Sequence, residues 1–166
     1  FDRIEKIRVI TPEGNLKDYP SSHFQAAYRS VKGLENLIIL SATLRPAKVK
    51  SSPETIREVM QSYQSKRGVS QPKEPSAGCV FKNPEGAHAG ALIDQAGLKG
   101  LSVGGACVSP LHANFIVNTG AASASDVIKL VNLVRQKVYK DKKIVLNPEI
   151  MLLGGDWNDY LLPLEV

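Results

Sequence analysis

The sequence predicts an α+β protein, on three observations: short runs with strand-type apolar patterns, two stretches with helical spacing, and turn chemistry between them. "IEKIRVI" (4–10) alternates apolar and charged residues, as a half-buried strand does, and "TPEGN" (11–15) supplies a turn. "NLIILSATLRP" (36–46) is the densest apolar stretch; its length suits a buried strand, stopped at Pro46. In "SSPETIREVMQSYQSKR" (51–67), Ser52 can cap a helix and Pro53 suits its first position. Ile56, Val59, Met60 and Tyr63 follow at helical spacing and are expected to face a core. A boundary is expected near Lys48 to Ser52, dividing the chain into 1–50 and 51–166.

"GVSQPKEPSAG" (68–78) reads as a loop, and "GAHAGALIDQAG" (86–97) as a short helix ended by Gly97. "ACVS" (106–109) and "HANFIVN" (112–118) are strand material, followed by an Asn118-Thr119-Gly120 turn. Ser123 and Asp126 open a second helix, with Val127, Leu130, Val131, Val134 and Val138 on its apolar side. "KIVLNPEIMLLGG" (143–155) gives two short strand-like runs interrupted at Asn147-Pro148.

With 43% apolar and 22% charged residues among 166, the composition is that of a soluble globular protein. No run approaches the roughly 20 apolar residues of a membrane helix, so no membrane partner is expected. Cys79 and Cys107 are too few for a disulfide framework and, with no export signal at the N-terminus, point to a reducing, cytoplasmic compartment. The chain starts at Phe1, within a strand-like run and without an initiator Met, which suggests a piece of a longer protein. The net charge of +5 owes much to "KLVNLVRQKVYKDKK" (129–143), read as the solvated outer face of a helix. Nucleic acid would rest on that charge alone, without interleaved aromatics, and is not expected as a partner. His23 and His88 have no metal partners at recognisable spacing, so no metal site is expected.

"PSAGCVFKNPEG" (75–86) places Cys79 between a Pro/Ser/Gly approach and a polar turn. Alone, the stretch fits two readings: a small buried residue starting a strand, or a thiol presented to a ligand beside a glycine that admits close approach.

Taken in order, "GCVFKNP", "LIDQAGLKGLSVGGACVSPLHANFIVN", "ASDVIKLVNLVRQKV" and "LNPEIMLLG" resemble the UDP-N-acetylenolpyruvoylglucosamine reductase family over residues 53–155. "YRS" (28–30) and the strand ending "SATLRP" resemble the end of that family's FAD-binding domain. The resemblance implies 1–50 as the C-terminal part of the FAD-binding domain and 51–166 as the substrate-binding domain. Most FAD contacts would then lie upstream of Phe1, and residues 1–166 alone are expected to be inactive. The implied activity is bacterial and cytoplasmic: NADPH reduces FAD, which reduces the enolpyruvyl ether of a UDP-sugar to UDP-N-acetylmuramate for peptidoglycan. Three departures stand out. The usual serine of the "FKNP" motif is Cys79, the acidic residue after "YR" is missing, and Met151 replaces a frequent arginine.

On that resemblance Arg29 is expected to grip the substrate carboxylate through its planar, permanently charged fork. Glu149, in "NPEI", is expected to stabilise the enolic intermediate; to donate a hydrogen bond it must carry its proton, which burial favours. Cys79 would protonate the α-carbon, since a thiol of ordinary pKa about 8.5 is mostly protonated at neutral pH and outperforms an alcohol as an acid. Tyr28, Asn83, Lys99 and His112 are expected to bind substrate, Lys99 as a point charge for the diphosphate. The structural alternatives are an exposed surface charge for Arg29, a strand-edge carboxylate in a salt bridge for Glu149, a packed strand residue for Tyr28 and a strand cap for His112. Cys107 is expected to be structural. The alternative function is a non-catalytic UDP-sugar-binding module.

Overall fold

The computed structural model describes residues 1–47 and 51–165 and confirms the α+β class. The chain divides into two compact units, Phe1–Ile56 and Arg57–Val166. The boundary expected at Lys48 to Ser52 falls partly on residues 48–50, outside the described residues.

In the first unit, β1 (Ile4–Ile10) buries Ile7 and Val9 on one face, the period-two pattern read from sequence. A turn through Gly14, at φ 81°, returns the chain into β2 (Leu16–Pro20), antiparallel to β1. Asp18 on β2 accepts hydrogen bonds from Lys6 and Arg8, and these cations hold its carboxyl far below the usual carboxylate range. β3 (Gln25–Ala27) and β4 (Ser30–Lys32) form a hairpin closed by Tyr28 and Arg29. β5 (Ile38–Leu44) completes a sheet of order β2-β1-β5. The apolar pattern of 16–35 assigned no element to β2, β3 or β4.

The small core here is Ile7, Val9 and Phe24, with Tyr19, Val31, Leu34 and Leu37 against it. β5 corrects an expectation: read as a buried strand, it is exposed at every residue, because it stands at the edge of its sheet outside that core.

α1 (Pro53–Ser70) starts as expected, with Ser52 Oγ accepting from the Thr55 amide at 3.2 Å. Its apolar stripe is a second correction: Ile56, Val59, Met60 and Tyr63 are all exposed, and no residue of α1 is buried. Periodicity reports an amphipathic face, not whether another element covers it.

The second unit contains β6 (Ser76–Cys79), α2 (Ala89–Gln95), β7 (Ser102–Val103), β8 (Ala106–Val108), β9 (Phe115–Asn118) and α3 (Ala124–Lys142). Its four strands form one antiparallel sheet, order β6-β9-β8-β7. Of "HANFIVN", only Phe115–Asn118 is strand. The Phe115 amide donates to His112 O at 2.9 Å, so 112–115 turns instead of extending. α3 begins with the reciprocal Ser123–Asp126 capping box and packs Leu130, Val131, Val134 and Val138 into a core with Val80, Phe81, Ile93 and Leu146.

The helix corrects one residue of the expected solvated face. Lys129, Lys137, Lys140 and Lys142 are exposed, but Arg135 is buried among the apolar positions. The strand-like runs expected in 143–155 are also absent: this stretch forms only an isolated bridge, Phe81 to Pro148, because Pro148 has no N–H to continue a ladder.

Gly105 lies against the start of α3, where a Cβ would overlap the Ala121–Ala122 backbone. Gly105→Ala is therefore expected to destabilise the second unit by about 2 kcal/mol, as overpacking against backbone does. Chemical denaturation of both proteins checks it, and equal midpoints would contradict the packing described.

Candidate active site

The site is built on residues 79–83. Gly78 adopts φ 84°, a conformation that needs glycine, and the β6–β9 register slips between Ser76 and Cys79. A Cβ on Gly78 would meet nothing within 4 Å, so its role within the chain is this bulge before Cys79 rather than close packing. Cys79 ends β6, half-buried, opposite Phe115.

Beyond Cys79 the backbone is held from two sides. On one side, Asn114 works almost as a strand residue. Its carbonyl accepts from the Val80 amide at 2.8 Å, and its side-chain Oδ1 accepts from the Phe81 amide at 2.9 Å. Its Nδ2 donates to Phe81 O, also at 2.9 Å. On the other side, the Lys82 amide donates to Asn147 O at 2.9 Å and the Glu149 amide to Val80 O at 2.7 Å. Phe81 and Pro148 lie at the centre of this pairing, so Glu149 stands opposite Val80, one position from Cys79. The thiol and carboxyl expected to share chemistry are thus placed on adjoining, hydrogen-bonded segments. Glu149 is half-buried.

His112 joins this group through Asn114, whose amide donates to Nδ1 at 3.2 Å; that acceptor role places a neutral ring's proton on Nε2. Its ring packs edge-on against Phe115, and Ser109 Oγ accepts from the Leu111 and His112 amides. Asn83 Oδ1 accepts from the Ala89 amide at 3.0 Å, satisfying one N–H at the start of α2. Lys99 lies outside this set, in the turn after α2, with Nζ 2.6 Å from Asp94 Oδ2. Cys107 sits in β8, its Sγ donating to Val108 O.

Tyr28 and Arg29 belong to the first unit. Both are exposed, and the guanidinium lies 5.5 Å from the Tyr28 ring centroid. Arg29 has φ 57°, a left-handed conformation that costs a non-glycine residue about 1–2 kcal/mol. A two-residue turn with that conformation at its second position favours glycine or asparagine.

Asn114 and Arg135 were missed from sequence. Asn114 carried no signal beyond being a polar residue inside an apolar run. Arg135 was legible in principle: it sits on the same face as Val131, Val134 and Val138. Burial lowers its pKa from the ordinary arginine value, yet a guanidinium remains charged. Among the described residues, no three His, Cys, Asp or Glu side chains group to hold a metal ion, and no helix is long and apolar enough to cross a membrane.

An α+β unit presenting a cysteine and a glutamate from paired segments has clear relatives. Residues 71–153 match the model of the UDP-N-acetylenolpyruvoylglucosamine reductase C-terminal domain. The chain belongs to that family. It is 42% identical over 152 residues to the UDP-N-acetylenolpyruvoylglucosamine reductase of Chlamydia pneumoniae, covering 90% of this chain and 48% of that protein. With the reductase of Syntrophomonas wolfei, it shares 39% identity over 157 residues, covering 93% of this chain and 52% of the relative. The crystal structure of the Thermus caldophilus reductase superposes with a TM-score of 0.72 at 37% identity, covering 89% of this chain and 52% of the other. The chain spans about half the length of the curated relatives it matches.

Proposed function

We propose that this chain is the substrate-handling part of a UDP-N-acetylenolpyruvoylglucosamine reductase, working with FAD and NADPH in the bacterial cytoplasm to make UDP-N-acetylmuramate for peptidoglycan. In this reading, residues 1–50 close a flavin-binding domain and 51–166 hold the UDP-sugar. The observation that carries the proposal is the match of residues 71–153 to the family's C-terminal domain, supported by the pairing of Val80–Lys82 with Asn147–Glu149, which brings the segments bearing Cys79 and Glu149 side by side.

FAD, when bound and reduced by NADPH, would supply the hydride for the terminal vinyl carbon. That addition breaks the carbon–carbon π bond and leaves an electron pair delocalised over the α-carbon and carboxylate. Arg29 holds the carboxylate oxygens through two parallel N–H donors. Glu149 acts on the enolate as it develops, a stabilisation that grows as charge builds. Cys79 gives its S–H proton to the α-carbon, and water returns a proton to the thiolate. Tyr28, Asn83 and His112 line the substrate; Lys99 meets the diphosphate by exchanging its partner Asp94 for phosphate oxygens.

The test is turnover of the flavin-loaded full-length protein that carries this chain, with NADPH and the enolpyruvyl sugar nucleotide in D2O. The expected result is one NADPH consumed per substrate and a product with solvent deuterium at the α-carbon. Tight UDP-sugar binding without NADPH consumption would favour the binding-module alternative and overturn the enzymatic reading.

A further inference from the structure

We infer that the C-terminal segment, residues 156–165, is a brace that positions the segment carrying Glu149, with Trp157 and Arg135 as its two holding points; this rests on the proposed role of Glu149. The segment lies beyond the last residue matched to the family's domain.

The segment carrying Glu149 has little backbone pairing of its own: Pro148 offers no N–H, and the bridge from Phe81 to Pro148 consists of the Lys82–Asn147 and Glu149–Val80 hydrogen bonds. The carbonyls on either side of Glu149 are then taken by side chains. Trp157 Nε1 donates to Ile150 O at 2.6 Å, and Arg135 Nε donates to Leu146 O at 2.9 Å. Trp157 also packs against the main core, so its indole N–H is aimed by a fixed ring.

Arg135 ties this segment to the tail as well as to α3. Its Nη1 donates to Leu162 O at 3.3 Å. Two amide side chains on the same helix face hold the tail as a neighbouring strand would. Asn132 Nδ2 donates to Tyr160 O and its Oδ1 accepts from the Leu162 amide, both at 2.9 Å. One turn on, Gln136 both donates to Glu165 O and accepts from the Glu165 amide. Asn132 and Arg135 are only 8% and 6% exposed, so water is a poor substitute for the partners they would lose. Releasing the tail strips Ile150 O of its indole donor and frees Arg135 from Leu162 O, so the guanidinium that holds Leu146 O loses its second anchor.

Two variants of the flavin-loaded full-length protein test the brace. Trp157→Phe keeps the ring and deletes the N–H; Asn132→Leu keeps the volume and detaches the tail, and serves if the first fails to fold. Amide hydrogen exchange at Glu149 is expected to quicken by about 10-fold in either variant, while the Phe81 amide, held by Asn114, keeps its protection. Substrate-driven flavin oxidation should slow by about 10-fold with KM nearly unchanged, and flavin reduction by NADPH should not move. Unchanged exchange at Glu149 in both variants overturns the brace. Faster exchange with unchanged turnover sustains the brace as structure but overturns its catalytic purpose; Glu149→Gln assayed in parallel then also turns over normally, which locates the failure in the role of Glu149.

Discussion

Cys79→Ala is expected to lower turnover by about 10³-fold, the contribution of a well-placed general acid, while NADPH still reduces the flavin at its usual rate. The variant removes only a sulfur from a half-buried strand end, so the cost to stability should be small beside that loss. Cys79→Ser should recover all but about 10-fold of the activity, because a hydroxyl at the same bulge reaches the same α-carbon but is a weaker acid. Cys107→Ser should change little, since the Cys107 thiol donates to the Val108 carbonyl within β8, a bond a hydroxyl can also make. Half-reactions separate the steps: flavin oxidation by substrate reads hydride transfer, and deuterium entry from solvent reads protonation. An alanine variant with normal product formation would remove the thiol from the mechanism and return Cys79 to a packing role.

Arg29→Gly should separate stability from activity, with opposite signs. The left-handed φ of 57° is a burden for arginine and none for glycine, so the variant should gain about 1 kcal/mol of stability in the hairpin. Turnover should fall by about 10²–10³-fold, as when a principal anion donor is deleted. Arg29→Lys keeps the charge and the strain but loses the planar fork, and should remain at least about 10-fold impaired. Thermal unfolding and steady-state kinetics on the same preparations decide the matter. If glycine proves destabilising, the turn is not strained as described; if it proves fully active, the carboxylate is held by something else.

Much of the second unit was legible in its sequence because its signals are local. Ser123 and Asp126 announce a cap whatever the helix packs against, and Val131, Val134 and Val138 mark a face by spacing alone. The same logic failed on α1. Ile56, Val59, Met60 and Tyr63 mark a face equally well, but burial depends on a partner surface that spacing cannot supply. β5 failed likewise, because edge position is a property of strand order and not of apolar content.

By itself the sequence determined the α+β class and the starts of the two long helices, and it marked the motif residues expected to carry chemistry. Tertiary structure alone decided that Glu149 pairs with Val80, that Asn114 bonds the Phe81 peptide on both sides, and that Arg135 donates to the Leu146 carbonyl. The physical reason is common to all three. Each concerns a backbone polar group whose partner is distant along the chain: 69 positions separate Val80 from Glu149, 33 separate Phe81 from Asn114, and 11 separate Arg135 from Leu146. Every buried N–H and C=O must find a partner, but the sequence near it does not say which one.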